Sequence, residues 1–163
     1  MWLGIDLGTS GVKTIMMDEA GSVVAVANAA LTVSRPHPGW SEQDPDEWWA
    51  AAQATMDELA LKEPKGMAAV RGIGLSGQQH GATLLGADDG VLRPCILWND
   101  GRSSEECDIL DAKADFRGIT GNLLMPGTTA PKLEWVKRHE PQVFEKVAKV
   151  LLPKDYLRLR LTG

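Results

Sequence analysis

A chain of 163 residues with 17 basic and 22 acidic side chains carries a formal charge of -5, a mild acidity that argues against a nucleic-acid partner. With 44% apolar and 24% charged residues it can build the core of one compact domain, and it fits neither a disordered tail nor a collagen-like repeat. Its richest apolar stretch, Val23 to Val33, is broken by Asn28 and Thr32 and falls short of the ~18 residues of a membrane span, so no membrane partner is expected. The start Met1-Trp2-Leu3-Gly4-Ile5-Asp6 meets a carboxylate with no basic region before it and does not read as a secretory signal. Cys95 and Cys107 lie outside any C-x-x-C spacing, and a reducing cytoplasm is the expected home.

In chain order, Trp2 to Asp6, Val12 to Asp18 and Ser22 to Val33 are β-rich runs joined by Gly8-Thr9-Ser10-Gly11 and Glu19-Ala20-Gly21, which predicts two consecutive hairpins. Two prolines and a glycine make Ser34 to Trp40 a loop, with Trp40 either its anchor or plain packing. Asp44-Pro45-Asp46-Glu47 is a helix start, and a helix of about four to five turns follows. Its predicted buried stripe is Trp49, Ala52, Met56 and Leu59, with Trp48 beside it facing the proline loop. After Lys62 to Gly66, strands are predicted at Val70 to Leu75, Ala82 to Leu85 and Val91 to Trp98.

The remaining chain reads as a helix from Ser103 to Ala112, a glycine-marked loop from Gly118 to Gly127, and helices at Ala130 to His139 and Pro141 to Val147. A strand at Val150 to Leu152 and a helical start at Asp155 complete it. The pattern predicts an α/β domain with a mixed sheet flanked by helices. The end at Leu161-Thr162-Gly163, with no polar tail, is expected to belong to a longer protein.

Candidate chemistry begins with Asp6-Leu7-Gly8-Thr9-Ser10-Gly11-Val12-Lys13 between the first two strands. Glycines let backbone N–H groups approach a phosphate, Thr9 and Ser10 add hydroxyls, and Lys13 adds positive charge. Asp6, at the strand end, suits a Mg²⁺ that bridges nucleotide phosphates, directly or through water. An ordinary glycine hairpin with a capping aspartate reads equally well from the same residues.

Gly72-Ile73-Gly74-Leu75-Ser76-Gly77 satisfies G-x-G-x-x-G, with Asp100 at roughly the distance a dinucleotide fingerprint asks. Its glycines fall within a strand and no helix follows, so the context excludes that reading. Gln78-Gln79-His80, between Gly77 and Gly81, sets amides and an imidazole at a strand end, where they can meet a polyol or serve structure alone. Trp98-Asn99-Asp100-Gly101-Arg102 also follows a strand, and Asn99 and Asp100 read either as site residues or as helix caps. His37 and His139 are expected on the surface, and no His, Cys, Asp or Glu set has zinc spacing.

Together, Gly4 to Lys13, Gly77-Gln78-Gln79-His80-Gly81 and Ile96 to Arg102 resemble the FGGY family of sugar kinases, within the actin-like, Hsp70-like and hexokinase-like ATPases. Ser34 to Pro45 and Leu151 to Arg158 extend the resemblance over essentially the whole chain, nearest to members acting on D-xylulose. Gln79 stands where those members commonly have methionine.

The resemblance implies that residues 1–163 form the N-terminal kinase domain, with the actin-like, ribonuclease H-like fold. It implies ATP and Mg²⁺ as cofactors and D-xylulose as the sugar partner, while the oligomeric state, a homodimer among the options, stays open. Gln79, His80, Asn99 and Asp100 would contact the sugar, while Asp6, Gly8, Thr9, Ser10 and Lys13 would serve the nucleotide. The general base would lie outside these residues, so this chain alone is expected to be inactive. Kinases of ribulose, gluconate or glycerol, a protein-binding ATPase module and a non-catalytic sugar-binding domain are the alternatives.

Overall fold

The computed structural model describes residues 1–163. Its first elements are β1 (Trp2–Leu7), β2 (Gly11–Met17), β3 (Val23–Ala30), β4 (Glu42–Gln43), α1 (Pro45–Lys62) and α2 (Pro64–Ala68). Next come β5 (Gly72–Gly77), β6 (Thr83–Leu85), β7 (Cys95–Ile96), α3 (Ser104–Asp111) and α4 (Phe116–Thr120). The last are α5 (Thr129–His139), α6 (Pro141–Phe144), β8 (Lys149–Leu151) and α7 (Pro153–Thr162). They divide into two compact units, the first comprising Met1–Val33, Asp46–Gln78 and Lys154–Gly163, the second Ser34–Pro45 and Gln79–Pro153.

The first unit is built on a four-stranded sheet in the order β3-β2-β1-β5. Both predicted hairpins are present, and β5 joins β1 in parallel, which makes the sheet mixed. Strict alternation turns Leu3, Ile5, Leu7, Val12, Thr14 and Met16 to one face, where all are buried. Leu59 of α1 packs with Leu3, Met16 and Ala27 on that face, and the Thr14 and Thr55 hydroxyls share a 2.6 Å hydrogen bond.

The buried stripe of α1 is Trp48, Ala52, Thr55 and Leu59, one residue out of phase with the prediction at its start. Trp49 and Met56 are only half-buried. Trp48 is fully buried with its ring edge-on to Tyr156, and the Tyr156 hydroxyl donates to Asp46 Oδ1 at 2.6 Å. Burial, with that hydrogen bond adding to it, pushes the Tyr156 phenol up to about 12.

The second unit contains two antiparallel pairs, β4 with β7 and β6 with β8. The predicted long strand from Val91 to Trp98 is reduced to Cys95–Ile96 and a single bridge between Val91 and Leu85. Pro94 lacks the N–H that a continuous ladder would need. A core of Ala82, Leu84, Ile96, Trp135 and Val136 packs with Trp40, Leu92 and Leu133. Two short helices, α2 and α4, occupy segments read as turn and loop.

Beside that core lies a buried ion network. Glu42 Oε1 accepts from Arg93 Nη2 at 2.7 Å and from Arg102 Nη1 at 2.6 Å. The Arg102 guanidinium also lies 3.7 Å from the centre of the Trp40 ring. Trp40 thus anchors the proline loop through both packing and charge.

Candidate functional site

In the first unit, the alternation that buries Leu3, Ile5 and Leu7 turns Asp6 outward. Sheet register sets Lys13 opposite Asp6 on one side and Ser76 opposite it on the other. Ser76 Oγ donates to Asp6 Oδ1 at 2.6 Å, which orients the carboxylate. Asp6, Lys13 and Ser76 line a groove of about 660 Å³ on the face away from α1, otherwise walled by apolar residues such as Trp2 and Ile15.

The β1–β2 turn is closed by Gly8 N–H donating to the Gly11 carbonyl at 3.0 Å. Thr9 Oγ1 donates to Gln78 Oε1 at 3.1 Å, tying the turn to the end of β5. Neither Gly8 nor Gly11 has a positive φ. At Gly11 the requirement is close approach, since a Cβ there would stand 2.6 Å from the Ala29 carbonyl oxygen. Asp6, Gly8, Thr9, Ser10 and Lys13 therefore gather at one end of the two central strands of one sheet. A carboxylate, an ammonium, the Ser10 hydroxyl and turn amides in that setting suit phosphate oxygens and their counter-ion. No group of three or more His, Cys, Asp or Glu side chains could hold a metal ion.

The G-x-G-x-x-G run forms the whole of β5, with all three glycines inside the strand, as the sequence context requires.

In the second unit, Gln79 and His80 are exposed, and His80 adopts a left-handed backbone with φ of 63°. Its carbonyl accepts from Lys132 Nζ at 2.8 Å and Thr129 Oγ1 at 3.2 Å. Gly81 is wedged in place: a Cβ there would lie 2.7 Å from Pro153 Cγ and 3.0 Å from Cys95 Sγ. The loop thus offers an imidazole on a fixed backbone.

Asn99 and Asp100 are separated in environment. Asn99 is exposed, but Asp100 is buried, with both carboxylate oxygens engaged by the protein. Oδ1 accepts from Arg102 N–H and Nε, each at 2.9 Å, and Oδ2 from Ser41 N–H at 2.6 Å and Arg102 Nη2 at 2.7 Å. Four donors occupy the Asp100 carboxylate, which braces the segment that carries Asn99.

Residues 1–163 match the FGGY family of carbohydrate kinases, N-terminal domain. The chain belongs to that family. The xylulose kinase of Escherichia coli (strain K12) is 60% identical over 164 residues, covering all of this chain and 34% of the relative. A crystal structure of a xyloylose kinase from Brucella ovis superposes with a TM-score of 0.94 at 60% identity, covering 96% of this chain and 33% of that one. The xylulose kinase of Rhodospirillum rubrum gives 0.92 at 37% identity, with 97% and 34% covered. The chain therefore has the actin-like ATPase fold of these FGGY kinases and spans about a third of the length of the curated relatives it matches.

For this FGGY domain, sequence reasoning missed Thr129, Lys132 and Gly127. Lys132 is fully buried, and its ammonium also donates to the Gly127 carbonyl at 2.6 Å. Gly127 in turn lies so close to the Trp98 carbonyl that no Cβ fits between them. Burial pulls the Lys132 ammonium down to about 8 and pushes the Cys95 thiol beside it up to about 12. A readable signal existed: Lys132, Trp135 and Val136 share one helical face by their spacing, so the lysine sits on the stripe that must be buried.

Proposed function

We propose that this chain is the sugar- and phosphate-binding part of a cytoplasmic kinase that moves the γ-phosphoryl group of ATP to the 5-hydroxyl of D-xylulose. The reading rests above all on His80, an exposed imidazole on a left-handed backbone whose carbonyl is held by two side-chain donors. Strain kept at a strand end is a mark of a ligand-binding position. The whole-chain similarity to proteins named xylulose kinase supports the choice of this ketose over other polyols. The two cysteines, both buried free thiols, support a reducing compartment.

In this reading Gln79, His80 and Asn99 hydrogen-bond the sugar, while Gly8, Thr9, Ser10 and Lys13 receive the nucleotide phosphates. Phosphoryl transfer depends chiefly on alignment and on neutralising charge at the phosphate oxygens. Mg²⁺ supplies part of that neutralisation when bound, and Asp6, oriented by Ser76, would hold it directly or through water. One carboxylate fits an ion that arrives with ATP better than a resident one.

The proton of the attacking hydroxyl is assigned to a carboxylate outside these residues. Asp100 is closed off by its four donors, and Asp155 is paired with Lys154 at 2.8 Å.

The test is a coupled assay of ADP release by the intact kinase with D-xylulose, D-ribulose, D-gluconate and glycerol. The highest kcat/KM is expected with D-xylulose. A higher value with another substrate would overturn the sugar assignment, and ATP hydrolysis indifferent to all four would favour a protein-directed ATPase.

A further inference from the structure

Lys132 stands near the N-terminus of α5, where the helix dipole disfavours a cation, and it is fully buried, where desolvation disfavours one again. A methionine or leucine would fill the same space beside Trp135 and Val136 without either penalty. What the ammonium adds is a link between two backbone segments. It reaches the His80 carbonyl at 2.8 Å and the Gly127 carbonyl at 2.6 Å, and Gly127 is packed against the carbonyl of Trp98, the residue before Asn99.

The His80 oxygen is therefore held by two donors, Lys132 Nζ and Thr129 Oγ1, while Gly81 is blocked on its other side by Pro153 and Cys95. A left-handed histidine persists only where its surroundings hold it. Here the surroundings are one buried charge, one hydroxyl and one steric stop. The imidazole itself remains exposed.

We infer that Lys132 is a positioning residue for the sugar site, setting the His80 backbone and hence the direction of its imidazole without touching the ligand, with Thr129 as its auxiliary. The inference rests on the reading of His80 as a sugar contact. Its effect belongs to sugar binding, since the phosphate-side residues lie on a different unit and share no hydrogen bond with Lys132.

The test uses the intact kinase, with D-xylulose as probe, and compares Lys132→Met, Thr129→Val, Thr129→Ser, His80→Ala and the His80→Ala/Lys132→Met double variant. Lys132→Met is expected to raise the KM for D-xylulose about tenfold while the KM for ATP stays within about twofold. Thr129→Val should raise it about threefold, and Thr129→Ser, which keeps the donor, should restore it. The double variant should bind no more weakly than His80→Ala alone, because a residue acting through His80 has nothing left to position.

Additive losses in that cycle, or an unchanged sugar KM in Lys132→Met, would overturn the inference. If Lys132→Met fails to fold, the Thr129 pair decides, and a Thr129→Val enzyme with wild-type sugar KM would overturn it. An unaffected sugar KM in His80→Ala would instead remove the underlying reading of His80.

Discussion

Replacing Asp100 by asparagine isolates what its carboxylate does. In the native protein its two oxygens accept four hydrogen bonds, three from Arg102 and one from the Ser41 amide, and both Asp100 and Arg102 are almost wholly buried. Asparagine keeps one acceptor oxygen but turns an NH₂ group toward a donor, and it removes the charge that offsets the guanidinium. Arg102 retains Glu42 at 2.6 Å and the Trp40 ring, so the loss falls at the lower end of the range for a broken buried pair, about 3 kcal/mol. That corresponds to roughly a hundredfold faster exchange of the Ser41 and Arg102 amides where exchange proceeds by local opening. Hydrogen exchange on the intact kinase measures it directly, alongside the KM for D-xylulose of the folded enzyme, which should change less than about threefold. Unchanged amide protection with a sugar KM raised more than tenfold would show that the carboxylate serves the sugar and not the Arg102 and Ser41 contacts.

Three further outcomes follow from buried groups. Lys132 titrates at about 8 in the folded protein against 10.5 unfolded, with Cys95, Asp100 and Arg102 around it. The folded state therefore binds fewer protons in that window, and the stability of wild type relative to Lys132→Met should rise between about pH 8 and 10.5 by on the order of 3 kcal/mol. Denaturant titrations across that range measure it, and a difference that falls with pH would contradict the burial argument. Gly127→Ala sets a methyl against the Trp98 carbonyl and should cost about 1 to 3 kcal/mol of stability; unchanged melting would show that the contact gives way freely. Thr14→Val should cost only about 1 kcal/mol in thermal unfolding, because Thr55 Oγ1 keeps its 2.8 Å bond to the Ala52 carbonyl. A loss of several kcal/mol would mean that the hydroxyl pair holds α1 to the sheet.

The hairpins were legible because turn chemistry and two-residue alternation agree over Trp2 to Val33, and the inward residues of β1 and β2 are the ones found buried. The tandem Trp48-Trp49 defeated phase assignment in α1: either tryptophan starts a helical stripe, and only packing against Tyr156 selects Trp48. Around Arg93-Pro94 the apolar run looked like one strand, but the proline and a buried Arg93 paired with Glu42 break it into bridges. In the candidate site, Gln79, His80 and Asn99 were readable as polar residues at strand ends. The burial of Asp100 was not, because its partner Ser41 lies 59 residues earlier in the chain. Lys132 was passed over because lysine is ordinarily a surface residue, although its helical spacing from Trp135 and Val136 marked it as inward.

In the proposed site the labour is divided, with Asp6 serving the phosphates and His80 the sugar. Calorimetric titration of D-xylulose into the intact kinase, paired with turnover, tests it most directly. Asp6→Ala should lower kcat by at least about a hundredfold while binding D-xylulose within about threefold of wild type, and His80→Ala should weaken D-xylulose binding about tenfold. Loss of sugar affinity in Asp6→Ala, with wild-type affinity retained in His80→Ala, would contradict that division.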